Sequence, residues 1–196
     1  MNYIGDVRAI VSQYLEHPNQ SVSHRADHIE RVLSMAHQIA LGCPNVDEEI
    51  LSLAVLLHDI DEPFNDKKSH VQLSERRAES ILATIDYPCE RRERIVQIIR
   101  EHSTEQLREA SSVEAAILFD ADKIDGVGRI GVARVFALFG QSGCSPLEAI
   151  EWYKKKMAIA GEHLHTLEGK RIFEGRARFA LDFLTELTIE ACNTAV

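Results

Sequence analysis

The apolar positions of this chain recur at intervals of three and four residues, the spacing that lines one face of a helix. Ile29, Val32, Leu33, Ala36, Ile39 and Ala40 make one such stripe, and Ile95, Ile98 and Ile99 make another. The spacing predicts a short amphipathic helix over 3–16, closed by His17-Pro18-Asn19. A second helix runs from a cap at Ser21 or Ser23 to about Leu41, and Asp47 is placed to cap a third that ends near Ile60. Residues 61–69 read as a polar loop. Further helices are predicted at about 71–86, 90–102 and 112–126, from Gly128 to Phe139, from Pro146 to about 160, and over roughly 169–192; proline suits the first turn of the helix it opens. No strand-like alternation, repeat or linker interrupts the series. The expected fold class is all-α, a single-domain helical bundle spanning residues 1–196.

The third helix departs from the amphipathic pattern. Leu53-Ala54-Val55-Leu56-Leu57 is an uninterrupted apolar run, which places it in a core, and it ends in His58-Asp59. An imidazole and a carboxylate are costly to bury unless each has a strong partner. A divalent cation satisfies both, since imidazole nitrogen and carboxylate oxygen are both good ligands. Other helices carry matching groups. His28 falls on the margin of its apolar stripe, with His37 on the opposite, polar side, and His102 continues the face of Ile95, Ile98 and Ile99. The helix at 112–126 is apolar nearly all round yet holds Asp120, Asp122 and Asp125. An unpaired buried charge costs several kcal/mol, so at least one of these acids must meet a cation: Lys123, Arg129 or a metal. Ligands converging from facing helices are a common way for bundles to build metal sites.

Composition narrows the function without naming it. At 196 residues and 22.1 kDa the chain fits one domain, and 45% hydrophobic with 27% charged residues is the balance of a globular protein. A net charge of −9 argues against a nucleic-acid polymer or an anionic membrane as partner. A small phosphorylated substrate stays open, because it needs only a local positive site. Cys43, Cys89, Cys144 and Cys192 lie far apart, as reduced thiols do, and Met1 to Leu15 lack the apolar core of a signal peptide. With no run near the roughly 18 apolar residues of a membrane span, the expected compartment is the cytoplasm. His163 and His165 read as surface histidines, Trp152 and Tyr153 as packing residues. Phe173, Phe179 and Phe183, with Leu184 and Leu187, fit a buried face that could equally close a homodimer.

The sequence resembles the HD-domain superfamily of metal-dependent phosphohydrolases. His24-Arg25-Ala26-Asp27-His28-Ile29-Glu30-Arg31-Val32 looks like that family's first-histidine motif, and Leu57-His58-Asp59-Ile60 is similar to the doublet that names it. Ile98-Ile99-Arg100-Glu101-His102-Ser103 and Phe119-Asp120-Ala121-Asp122-Lys123-Ile124-Asp125 resemble the downstream segments. Leu167-Glu168-Gly169-Lys170 and Arg176-Ala177-Arg178-Phe179 are similar to the tails of uncharacterised bacterial single-domain members. On this resemblance the motif-bearing core is about 21–130, followed by C-terminal helices at about 146–192. It implies His28, His58, Asp59 and Asp122 as metal ligands, with Asp122 chosen over Asp120. It further implies His102 at a second metal or at substrate phosphate, Glu62 as an acid that positions the attacking water, and Arg31 as a substrate-binding residue; Lys67, with Lys68, could attract phosphate from the loop.

The activity so implied is hydrolysis of a small phosphate ester, a nucleotide among the candidates, by a metal-activated water, with Glu62, Asp59 and His102 as the catalytic groups. The cofactor is one or two divalent ions, with Mn, Fe, Co, Ni or Zn suiting the donor set better than Mg. Two other readings share the fold. One is a catalytically silent module that senses a nucleotide, and the other is a di-iron oxygenase recruiting His24, His70 and His102.

Overall fold

The computed structural model describes residues 2–15, 26–60, 70–103 and 109–193. Among them are nine α-helices and no strand: α1 (Tyr3–Leu15), α2 (Ala26–Ala40), α3 (Glu48–Leu57), α4 (His70–Thr84), α5 (Cys89–Glu101), α6 (Val113–Asp125), α7 (Gly128–Gln141), α8 (Pro146–Glu162) and α9 (Leu167–Asn193). The all-α class expected from the periodicity is what the chain adopts. Ser21, Ser23 and the loop 61–69, with Glu62 and Lys67, lie outside the described residues.

The uninterrupted apolar run becomes the central helix. Every residue from Ile50 to Leu57 is buried, and α1, α2, α5 and α6 pack around α3. Burial of each such Leu, Ile or Val contributes about 1.5–3 kcal/mol relative to exposure. The helix starts where expected, because the Asp47 carboxylate accepts the Ile50 N–H at 3.2 Å and Glu48 and Glu49 favour the positive end of the helix. Asp47 also binds Arg91 of α5, and Arg91 in turn reaches Tyr87 and Glu49, so the start of α3 is tied to α5 at the end remote from His58. The other end stops earlier than the sequence suggests. α3 closes at Leu57, and His58 and Asp59 form the turn that follows.

α6 runs along α2 and also packs against α7 and α9, on which α8 rests. Ser112 caps α6 and Ser145 caps α8 in a reciprocal pair with Glu148, just ahead of Pro146. Tyr153, Phe173, Ala180 and Leu184 are buried beneath α8 and α9. Trp152 and Phe183, read from the sequence as buried, are 39% and 41% exposed, because each lies on the outer side of its helix. No helix among the described residues is long and apolar enough to cross a membrane.

Candidate metal centre

His58 follows the last turn of α3, where carbonyls lack intrahelical partners. Its Nδ1 lies 2.8 Å from the Val55 carbonyl oxygen, three residues back. A carbonyl only accepts, so Nδ1 carries the proton and Nε2 turns its lone pair inward. His102 repeats the device at the end of α5, with Nδ1 at 2.6 Å from the Ile99 carbonyl. His28, in the first turn of α2, is oriented from another helix: its Nδ1 donates to the Asp125 carboxylate of α6 at 2.8 Å. All three histidines are almost fully buried.

The inward atoms meet two carboxylates. Asp59 Oδ2 lies 3.5 Å from His28 Nε2 and 3.6 Å from His58 Nε2, while its Oδ1 faces His102 Nε2 at 3.4 Å. Asp122 is divided in the same way: Oδ1 lies 3.6 and 3.9 Å from the two Nε2 atoms, and Oδ2 takes the Lys123 ammonium at 2.5 Å. One donor atom from each of His28, His58, Asp59 and Asp122 falls within 4.8 Å of all the others. His58 Nε2 is buried with no hydrogen-bond partner among the described residues, a costly state for a nitrogen lone pair. Two imidazole nitrogens and two carboxylate oxygens around such an atom are a donor set that fits a divalent cation. The negative ends of α3, α5 and α6 also lie here, which favours positive charge.

Protonation follows from these neighbours. Burial opposes charge on His28, but Asp125, Asp59 and Asp122 outweigh it and raise its pKa to about 9. At His58 burial, aided by the neighbouring histidines, outweighs the pull of Asp59 and Asp122, and its pKa falls to about 4. The Asp122 carboxyl is buried too, yet Lys123 and the histidines hold it well below the usual range.

The three acids of α6 have three fates. Asp120, fully buried, accepts the backbone N–H groups of His165 and Thr166 and the Thr166 hydroxyl, fastening the turn before α9. It therefore faces away from the centre to which Asp122 belongs. Asp125 binds His28, Arg31 and Arg134. The cation expected among Lys123 and Arg129 is Lys123 for Asp122, whereas Arg129 lies over the Phe179 ring and serves none of the acids. Arg31, matched to the family motif as a substrate contact, is placed on Asp125 and Asp27. His163 and His165 are half-buried, not surface groups, and the His165 ring packs edge-on against Phe119. Glu62, Lys67 and His24 lie outside the described residues.

Two groups near the centre carried no signal in the sequence. Arg134 of α7 pairs with Asp125. Lys156 of α8 is an exposed residue whose ammonium lies 4.8 Å from the centre of the Trp152 ring; partial desolvation lowers its pKa, with Lys123 and Arg134 acting in the same direction against Asp122 and Asp59. Both sit on helices whose own periodicity is unremarkable.

The family model described as HD domain matches residues 25–126. The Bacillus subtilis protein YpgQ is 27% identical over 178 residues, covering 86% of this chain and 85% of that one. A crystal structure of YpgQ in complex with ADP superposes with a TM-score of 0.74 at 25% identity, covering 95% of this chain and 97% of that one. An HD-superfamily hydrolase from Bacillus thuringiensis shares the fold at a TM-score of 0.75 and 23% identity, with 96% of each chain covered. A Lactobacillus plantarum protein does so at 0.80 and 20%, with 97% of each covered.

Proposed function

Because the chain belongs to the HD-domain family, we propose that it hydrolyses a small phosphate ester, nucleotides foremost, with a divalent cation held by His28, His58, Asp59 and Asp122. The observation that carries this reading is the buried, unsatisfied Nε2 of His58 facing one oxygen each of Asp59 and Asp122. When bound, such a cation lowers the pKa of water toward neutrality and withdraws charge from a phosphoryl oxygen.

The chain's own residues divide the remaining work. Lys123 brings an ammonium group to the Asp122 side of the centre, where it would receive substrate phosphate. His102, with Nδ1 held by Ile99, keeps Nε2 beside Asp59, where its lone pair would join a second ion or, once protonated, would bind a phosphate oxygen. Asp125 fixes the ring of His28, and Arg31 and Arg134 fix Asp125. Glu62 stays the acid proposed to position water on the motif match, and Lys67 a further phosphate contact on its place in the loop sequence. The nitrogen and oxygen donors suit Mn, Fe, Co, Ni or Zn better than Mg. ADP bound to YpgQ makes nucleotides the first substrates to try.

The test is a screen of nucleotides and other phosphate esters with each metal added, run beside the double variant His58→Ala/Asp59→Ala. Metal-dependent release of phosphate or pyrophosphate should vanish in the variant while helical circular dichroism persists. Turnover retained by the metal-free variant would refute the reading. Nucleotide binding without product across all metals would move the protein to the sensing class.

A further inference from the structure

A cleft of about 660 Å³ opens between α2, the start of α7 and α9, and none of His28, His58, Asp59 or Asp122 lines it. Its walls carry four arginines, Arg31, Arg129, Arg171 and Arg176, and one acid, Asp125. That acid is already bonded to His28, Arg31 and Arg134. In a chain of net charge −9, a cleft with a local excess of three positive charges is an inversion of the average.

Arg31 is paired with Asp125 and Asp27, whereas Arg129 and Arg176 keep their charges uncompensated. Arg176 donates to the Ile124 carbonyl at 3.1 Å and Arg129 lies 4.2 Å from the centre of the Phe179 ring; neither has a carboxylate partner among the described residues. Arg171 pairs only with Glu168 of its own helix and is 69% exposed. Burial disfavours the charge on Arg176; Asp125 offsets part of that, and the neighbouring Arg31 adds to it. The backbone is shaped for this placement. Gly128 has φ +84°, and a Cβ there would sit 3.1 Å from the Arg176 Cβ, so the arginine stem packs where only glycine leaves room. The first turn of α7 borders the same space with no side-chain cap on its N–H groups. Met35, Ile130 and Ile172 supply an apolar strip beside the charges.

We propose that this cleft binds an oligophosphate anion at a site separate from the metal centre. Several phosphates bridging the cleft would give Arg129 and Arg176 the anionic partner they lack and engage guanidinium groups in paired hydrogen bonds. The volume is that of a small-molecule site, so an inorganic chain or the phosphate arm of a nucleotide fits. Arg31 belongs to both regions, since it lines the cleft and supports Asp125 behind His28. The inference does not require hydrolysis at the metal centre.

Titration calorimetry on the full chain kept metal-free with EDTA tests it, using inorganic triphosphate and ADP as separate probes. Saturable, salt-sensitive binding is expected. It should weaken roughly ten- to hundredfold in Arg129→Gln/Arg171→Gln, whose two side chains are exposed and whose loss leaves the core intact. Equal effects on both probes would identify the phosphates as the recognised group, and tighter ADP binding would add the apolar strip. The same titration on His58→Ala/Asp59→Ala should be unchanged. Absence of binding in the unmodified protein overturns the proposal, as does binding that survives in the arginine variant and disappears in the His58/Asp59 variant.

Discussion

His58 and His102 are aimed by carbonyls of their own helices, whereas His28 is aimed by a carboxylate from another, and that difference sets its chemistry. A carboxylate partner raises the basicity of the ring, so in the metal-free protein His28 keeps a proton that His58 does not. Metal uptake near neutral pH should then release that proton, a heat visible as a buffer-dependent enthalpy in calorimetry. Asp125→Asn retains a hydrogen-bonding side chain but removes the charge; loss of such an outer partner typically costs about 10- to 100-fold in metal affinity. A metal isotherm unchanged in Asp125→Asn would contradict the role given to Asp125. The two histidines also shape stability without metal. Unfolded, both titrate at 6.5; folded, His28 holds its proton up to about 9 and His58 refuses one down to about 4. Between about 4 and 6.5 the unfolded chain binds the extra proton at His58, so stability rises with pH. From 6.5 to about 9 the folded chain binds it at His28, so stability falls. Thermal unfolding of EDTA-treated protein should show a maximum near 6.5, and a Tm that climbs steadily to pH 9 would count against these assignments.

The helices are largely legible in the amino-acid sequence, because each is an amphipathic or apolar segment and three of them open on a capping side chain. Asp47, Ser112 and Ser145 all cap where such residues should. Asp47→Ala should lower stability by about 0.5–2 kcal/mol, while Asp47→Asn should recover most of it by keeping the cap; chemical denaturation distinguishes them, and equal losses would mean the Arg91 ion pair outweighs the cap. Periodicity does not sort the acids of α6. Asp120, Asp122 and Asp125 are alike in sequence, and apart from Lys123 and Arg134 their partners come from 45 to 97 positions away. Arg134 and Lys156 are hidden for the same reason, since only the packing of α7 and α8 brings them to the centre. Gly169 shows how tightly one of these long-range contacts is built, since a Cβ there would fall 2.3 Å from Asp120 Oδ2. Gly169→Ala should therefore detach the turn before α9 and lower the Tm, and an unchanged Tm would show that the turn yields without cost.

At the scale of the molecule, a fully apolar helix at the centre ends in a histidine and an acid, and three surrounding helices bring the remaining donors to that end. The arrangement explains why the His58-Asp59 turn tolerates burial, and why the local motifs imply a site only when taken together. It also separates two charged regions, an acidic and imidazole-rich centre suited to a cation and an arginine-lined cleft suited to anions, joined through Arg31 and Asp125. The most direct measurement is anomalous diffraction at the manganese edge from crystals grown with that ion. The account predicts a peak in contact with His28 Nε2, His58 Nε2 and one oxygen each of Asp59 and Asp122. A manganese peak elsewhere, or none at saturating metal, would contradict it.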